Sequence, residues 1–470
     1  MKNNGIICLC LVFVLILFCP IIAVATEDEP SSEKEFGCYS LDATATRLGD
    51  AQITGNMEAA ILYETKSHSL MYAYNADLPL NAAGFVKIMT GYIAARDGNM
   101  EDKITVTESG LNAVSEVARV LDIQVGEVLT LEDLMHCMLV RSSNEAATII
   151  AEHISGSQLT FIEEMNRTAQ ELGCTNTHFV NATGLHDDNQ LTTARDIAKI
   201  LEKALEIDSF RKAFCAADYT VPATNMSGER LLVTTNYLIY GNYDGVFYYV
   251  DKRVTGGRPG VTNSGKRMIA AVSEYETMEM ISVVMGSDSE WSKDKSYIST
   301  FGSYLETSAL LNAGYANLKV SQVLYENQAL TQLDVESGEC DVVIGPKESA
   351  YALIQSAMNL DNLSFRYSHT GKQLEAPIEK GDYISTVEIW SDGVCVAMAD
   401  LYAMNSVARV ETGLLDQQNT NMGTGRFGTI LVTVLATVLI IVCLLFAYRK
   451  VMTMIARKRR NHNRQNRRRS

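Results

Sequence analysis

Residues Asn81–Ala95 read NAAGFVKIMTGYIAA, a stretch without proline in which Phe85, Ile88, Met89 and Ile93 recur at helical spacing. The spacing predicts a helix from about Gly84 to Arg96, packed into a core, with Lys87 near its first turn. Working outward, EAAILYET (Glu58–Thr65) and LMYAYN (Leu70–Asn75) flank the polar turn KSHS and predict a β-hairpin before the helix. Downstream, Thr130 with Asp133 predicts a capped helix over LEDLMHCMLV, and Glu145–Ile154 predicts another, joined to it through RSSN. Thr193 with Asp196 caps a further helix to about Leu205. Four β-rich segments follow, RLLVTTNYLI, GVFYYVDKRVTGG, RMIAAVSEY and MEMISVVMG, before a helical pattern returns over Trp291–Leu311. Strands at both ends with helices between them predict an α+β domain, an antiparallel sheet with an inserted helical lobe. From about Leu318 to Val410 the text is strand-rich and predicts a separate small all-β domain.

The 470 residues have globular composition, 47% hydrophobic and 20% charged, but unusual ends. Residues 1–25 carry Lys2, an apolar run and Ala23-Val24-Ala25, the pattern of a cleaved signal peptide. Residues 427–448 form an uncharged apolar run of about 22 residues, enough for one transmembrane helix. The tail 449–470 holds Arg449-Lys450, Arg457–Arg460, Arg464 and Arg467–Arg469, which places it on the cytoplasmic side and the preceding chain outside. Residues 411–426 read as a polar tether to the membrane. The end segments hold eleven of the 40 basic residues and no acidic ones, leaving 29 basic against 56 acidic residues outside. Such an ectodomain repels polyanions, so no nucleic-acid partner is expected.

Six cysteines are expected outside: Cys38, Cys137, Cys174, Cys215, Cys340 and Cys395. An even set permits disulfides, with Cys340 and Cys395 the first pair to test and two buried thiols as the alternative. No CxxC pair occurs, and neither a metal nor a cofactor is expected.

Three short elements carry the chemistry: Gly84-Phe85-Val86-Lys87 at a helix start, Ser142-Ser143-Asn144 between two helices, and Val254-Thr255-Gly256 on a strand. Their order and setting match the Ser-x-x-Lys, Ser-x-Asn and Lys-Thr-Gly elements of penicillin-recognising serine enzymes. Longer text agrees, including VKIMTGYIAA, SSNEAATIIAEHISGS, FIEEMNRTAQELGCTNTHFVNATGLHD and LSFRYSHTGKQLEAPIEKGDYISTVEIWSDG. Across about Ala43–Val410 the chain resembles the D-alanyl-D-alanine carboxypeptidases, the low-molecular-mass penicillin-binding proteins. The resemblance implies a β-lactamase-like domain over 43–315 and the family's C-terminal β-domain over 318–410. It also implies peptidoglycan stem peptides, or a cell-wall protein, as partners.

In that family the helix-start Ser attacks the carbonyl between two D-alanines, and the Lys of the same motif accepts its proton. The resemblance carries those supporting roles to Lys87, Ser142, Asn144 and Thr255. Gly84 stands at the nucleophile position and Val254 at the Lys that would hold the substrate carboxylate, with Lys252, on the same strand face as Val254, as a partial substitute for it. The backbone N–H groups of Gly84 and Gly257 are expected as oxyanion donors. Glycine offers no side chain for covalent catalysis, and losing such a nucleophile costs on the order of 10⁶ in turnover. A pseudoenzyme that grips wall peptides is therefore expected, with residual carboxypeptidase activity through Ser142 or Ser143 as the alternative. Lys87, Ser142 and Asn144 are equally readable as a buried polar cluster satisfying itself.

Overall fold

The computed structural model describes residues 41, 48, 53, 55–241, 248–294, 298–356, 360, 363–368, 373–391 and 394–410. The expected signal peptide, polar tether, transmembrane helix and basic tail, and Cys38, lie outside the described residues. Among the described residues no helix is long and apolar enough to cross a membrane.

The described chain forms two compact units by contact. One takes residues up to 330 with 345–370 and 383–402; the other takes 331–344, 371–382 and residues from 403 onward. In the first unit the predicted hairpin forms as β1 (Ala59–Glu64) and β2 (Ser69–Tyr74). The predicted helices form as α1 (Val86–Asp97), α2 (Leu131–Arg141), α3 (Asn144–Ser155) and α5 (Ala194–Leu205), with α4 (Gln158–Glu171) before the last of these. Thr130 and Asp133 close a reciprocal capping box at the start of α2, and Thr193 Oγ1 accepts the Asp196 N–H at 3.0 Å. Each cap satisfies donors that the first helical turn leaves open.

Strands β3 (Val254–Val261), β4 (Arg267–Tyr275) and β5 (Met278–Ser287) complete a five-stranded antiparallel sheet in the order β2-β1-β5-β4-β3. Alternation along each strand builds two cores. Ile61, Tyr63, Ala270, Val272, Ile281 and Val283 face the helical lobe, while Ala60, Leu62, Ile269, Ala271 and Val284 face the opposite layer. That second layer contains α6 (Gly302–Asn317). The helix predicted over Trp291–Leu311 begins later than its apolar spacing suggested, because Ser289–Trp291 (β6) and Ile298–Phe301 (β7) pair as a hairpin first. Leu318–Leu324 pairs with Ala350–Gln355, and Leu363–Ser368, Tyr383–Ser391 and Val394–Ala403 run as an antiparallel meander.

In the second unit, Thr331–Leu333 pairs with residues 342–344, and bridges join Glu336 to Glu375 and Ile378 to Val407. The Cys340–Cys395 pair is not formed. Cys340 is an exposed thiol and Cys395 a buried one whose Sγ donates to Ala397 O at 3.6 Å.

Candidate active site

Gly84 lies in a 3₁₀ turn, Ala83–Phe85, that runs directly into α1. The turn is held by Asn81 Oδ1, which accepts the Ala83 N–H at 3.1 Å, and by the Phe85 N–H donating to Ala82 O at 3.0 Å. Phe85 and Val86 are fully buried and belong to the core, so apolar packing rather than a pocket floor accounts for them.

Two backbone segments close on Gly84. A Cβ placed there would lie 3.1 Å from Pro259 O and 3.3 Å from Gly260 Cα. A Cβ on Gly260 would lie 3.3 Å from Gly84 N. On the other side Gly184, with φ of 78°, is so close that a Cβ would fall 2.0 Å from Ala83 O. Glycine at 184 is therefore required both by the left-handed backbone and by this contact. The sheet edge and the helix start pack backbone to backbone where the family's nucleophile would project.

One turn into α1, Lys87 is 2% exposed. Its Nζ donates to Asn144 Oδ1 at 2.6 Å and also to Thr183 O. Burial holds the amine well below the ordinary lysine range, the nearby Arg258 charge pushes the same way, and Glu145 opposes them. Asn144 spends its amide on Ala118 O at 2.7 Å. Glu145 is fully buried and accepts the N–H groups of Val120 and Leu121. Thr183 is set by Asn181, whose Oδ1 accepts from the N–H groups of Thr183 and Gly184 at 3.1 and 2.7 Å. The NAT triplet at Asn181 thus has a structural purpose as an Asx-type turn.

Ser142 ends α2 in the left-handed region, at φ 68° and ψ 26°, and Ser143 caps α3 by accepting the Ala146 N–H at 3.1 Å. Ser142 Oγ accepts from Arg258 Nη2, and Arg258 Nη1 donates to Leu139 O at 3.2 Å. Arg258 is 1% exposed, its Nε has no partner, and none of the ion pairs among the described residues includes it. Burial pushes this guanidinium down to about 10. A buried cation without a carboxylate is costly, which makes Arg258 the least self-satisfied group of the cluster.

Gly84, Lys87, Ser142 and Asn144 therefore come together, but the third expected element does not join them. Val254 is buried in the apolar layer opposite the helical lobe. Thr255 Oγ1 donates to Val272 O at 3.4 Å, and Gly256 packs against Cys215 and Phe214. Gly257 packs on Asn236 and on the backbone of β4, so it does not face Gly84. Lys252 is exposed and no described contact takes it to Ser142. The reason is distance: four residues along a strand separate Val254 from Arg258, about 13 Å. Arg258-Pro259-Gly260 is the triplet that borders the site.

Sequence reading missed Arg258, Pro259 and Gly260, although the signal was present as a basic residue two before a glycine, just ahead of the turn to β4. Pro259 sits on the sheet's edge strand. Pro259 O points at Gly84, and a strand residue's N and O face the same side, so proline strips one donor from that outer edge. His153 meets Asp102 at 3.3 Å, and His186 meets Asp188 at 3.3 Å. Among the described residues no cluster of three or more His, Cys, Asp or Glu is placed to hold a metal.

The fold is that of a penicillin-binding-protein/β-lactamase-like α+β domain followed by a C-terminal β-domain. The family profile "D-alanyl-D-alanine carboxypeptidase" matches residues 45–289, and "Penicillin-binding protein 5, C-terminal domain" matches residues 319–409. The chain belongs to the D-alanyl-D-alanine carboxypeptidase family. It is 27% identical over 388 residues to the carboxypeptidase DacA of Haemophilus influenzae, covering 80% of this chain and 92% of that protein. It is also 27% identical over 359 residues to DacC of Escherichia coli, covering 74% and 84% respectively. The crystal structure of penicillin-binding protein 5 from Haemophilus influenzae superposes with a TM-score of 0.64 at 25% identity, covering 77% of this chain and all of that one.

Proposed function

We propose that this protein is a membrane-anchored, extracytoplasmic member of the family that does not form an acyl-enzyme, and that it binds wall stem peptides as a scaffold or regulator. The observation that carries the reading is the state of position 84: it has no side-chain atom, and the backbone of Pro259 and Gly260 packs so closely that even a Cβ there would lie 3.1 and 3.3 Å from it. Without the hydroxyl there is nothing for Lys87 to deprotonate, so its depressed basicity serves no acylation step.

The binding half of the reading rests on Arg258. It borders Gly84 in place of the expected Val254, supplies a positive charge, and bonds the Ser of the second motif. A peptide's terminal carboxylate is the partner that would complete it, through charge-assisted hydrogen bonds. The anchor is supported by the apolar run 427–448 and the basic residues after it.

The test is direct. Full-length protein should take no label from fluorescent penicillin and release no D-alanine from a pentapeptide, while calorimetry detects binding of a peptide ending in D-Ala-D-Ala. A β-lactam adduct found by mass spectrometry on Ser142, Ser143 or any other residue would restore the enzymatic alternative. Calorimetry without a binding signal would leave only a partner-protein role, for which the strand-rich C-terminal region is the first candidate in a pull-down.

A further inference from the structure

Two sheet edges of this chain are finished differently. Edge strand β3 carries Pro259 and packs its backbone against the helix start at Gly84, so its outer side is closed. The strand Leu363–Ser368 is also the last of its sheet, paired along its whole length with Tyr383–Ser391, and among the described residues nothing pairs with its other side. It has no proline, no lysine and no bulge in its register. Its one charge, Arg366, lies 3.9 Å over the ring of Trp390 on the neighbouring strand, and so does not guard the open side.

The direction of the backbone groups follows from the strand's end. Ser368 O accepts from Ser385 Oγ at 2.9 Å and Ser368 Oγ donates to Thr386 O at 3.0 Å, so the Ser368–Thr386 pair turns its polar groups inward. Because the N and O of a strand residue face one side and successive residues alternate, Ser364, Arg366 and Ser368 bond inward, while Leu363, Phe365 and Tyr367 hold N–H and C=O toward the open edge. The same three carry the apolar side chains. They extend the face on which Val387 and Ile389 are fully buried, yet Phe365 stays 37% exposed and Leu363 and Tyr367 are half-buried.

This edge is complementary to itself. Run antiparallel to a second copy about Phe365, it sets Phe365 opposite the partner's Phe365, Leu363 opposite the partner's Tyr367 and Ser364 opposite the partner's Arg366. Each outward N–H then meets an outward C=O, apolar residues meet apolar ones, and no like charges stand opposite. Centring the pair on Arg366 instead would oppose the two guanidinium groups. A six-residue strand makes a small interface, which suits copies held at high effective concentration in one membrane.

We propose that Leu363–Ser368 is a self-association edge, and that two copies in one bilayer pair these strands antiparallel about Phe365 as a two-fold dimer. The bilayer rests on the anchor proposed above; the strand pairing itself is independent of the anchor and of the Gly84 site.

A cysteine scan tests the register. Full-length protein with Cys38, Cys340 and Cys443 replaced by serine is oxidised in lipid vesicles and, at high concentration, in detergent. Directly opposed residues lie about 5.5 Å apart, within disulfide reach, so Phe365→Cys should give a disulfide-linked dimer. Ser364→Cys and Arg366→Cys should each dimerise roughly tenfold less alone, because like positions fall beyond about 7 Å, and should cross-link when the two are mixed. Tyr367→Pro, which removes an outward N–H only, should reduce the Phe365→Cys dimer several-fold with an unchanged melting temperature. No dimer from Phe365→Cys in either medium, or equal dimer from all three single cysteines, overturns the proposal. Protein that fails to float with the vesicles overturns the anchor instead, and the scan in detergent then decides the strand pairing.

Discussion

The two halves of the site have fared differently. On one side Lys87, Asn144, Ser142 and Arg258 keep their polar side chains and hydrogen bonds, and the loops carrying Thr183 and Ala118 are fitted to them. On the other, Gly84, Pro259 and Gly260 present no side-chain donor at all, and backbone meets backbone. A cluster kept only to satisfy itself would have no reason to hold Arg258 buried without a carboxylate. The comparison teaches that bond-making chemistry and charge recognition are separable in this fold, because they are supplied from different segments.

The largest effect should come from the brace behind the lost nucleophile. Gly184→Ala forces a Cβ to 2.0 Å from Ala83 O at a φ of 78°, and should destabilise the protein by about 3 kcal/mol or more. Thermal or denaturant unfolding measures it. Near-native stability would show that the turn at Ala83–Gly84 is not held as described.

Arg258→Met cuts the other way. Replacing a buried, carboxylate-free guanidinium with an apolar side chain of similar length should leave stability unchanged or raise it by roughly 1–3 kcal/mol, while abolishing calorimetric binding of a D-Ala-D-Ala peptide. A strong loss of stability would mean that Arg258 is structural, and would erase the difference between the halves. By contrast Val254→Lys, the repair that the tripeptide match suggests, buries an unpaired ammonium in an apolar layer and should cost about 2–4 kcal/mol with no gain in binding.

Gly84→Ser asks whether one hydroxyl is enough. The new Cβ must push Pro259 O back from 3.1 Å by a few tenths of an ångström, so a cost of about 1 kcal/mol is expected. Penicillin labelling should stay absent in this single variant, because Pro259 still withholds an edge donor and a hydroxyl. Labelling at ordinary rates would show that glycine alone separates this protein from its active relatives.

Lys87 gives the comparison a pH signature. Its folded pKa is depressed, so between that value and the ordinary 10.5 the unfolded state binds more protons, and stability rises with pH through that window. The stability of wild type relative to Lys87→Met should therefore rise with pH on the approach to 10.5, by up to about 1.4 kcal/mol per unit. A flat difference would show that Lys87 stays charged in the fold.

Much of this was legible in the text. Capping residues Thr130 and Thr193, apolar spacing at Phe85–Ile93 and strand alternation report local physics, and they placed the sheet, the helical lobe and two of the three site elements. The β6–β7 hairpin was hidden because Trp291 and Ile298 fit helical spacing as well as strand pairing. The third element was hidden for a related reason: Val254-Thr255-Gly256 matches a tripeptide better than Arg258-Pro259-Gly260 does, but only the register with β4 fixes which triplet reaches Gly84.

The smallest expected effect tests that register. Thr255→Ala removes a hydroxyl that the tripeptide match assigns to carboxylate binding, but that donates to Val272 O at a long 3.4 Å. If the site is bordered by Arg258–Gly260, stability should change by about 0.5 kcal/mol or less and affinity for a D-Ala-D-Ala peptide should not move. Ser142→Ala, which takes the acceptor from Arg258 Nη2, should weaken the same ligand several-fold. The reverse order of effects would put β3 about four residues out of register with the helix start, and both halves of the comparison would have to be drawn again from Val254.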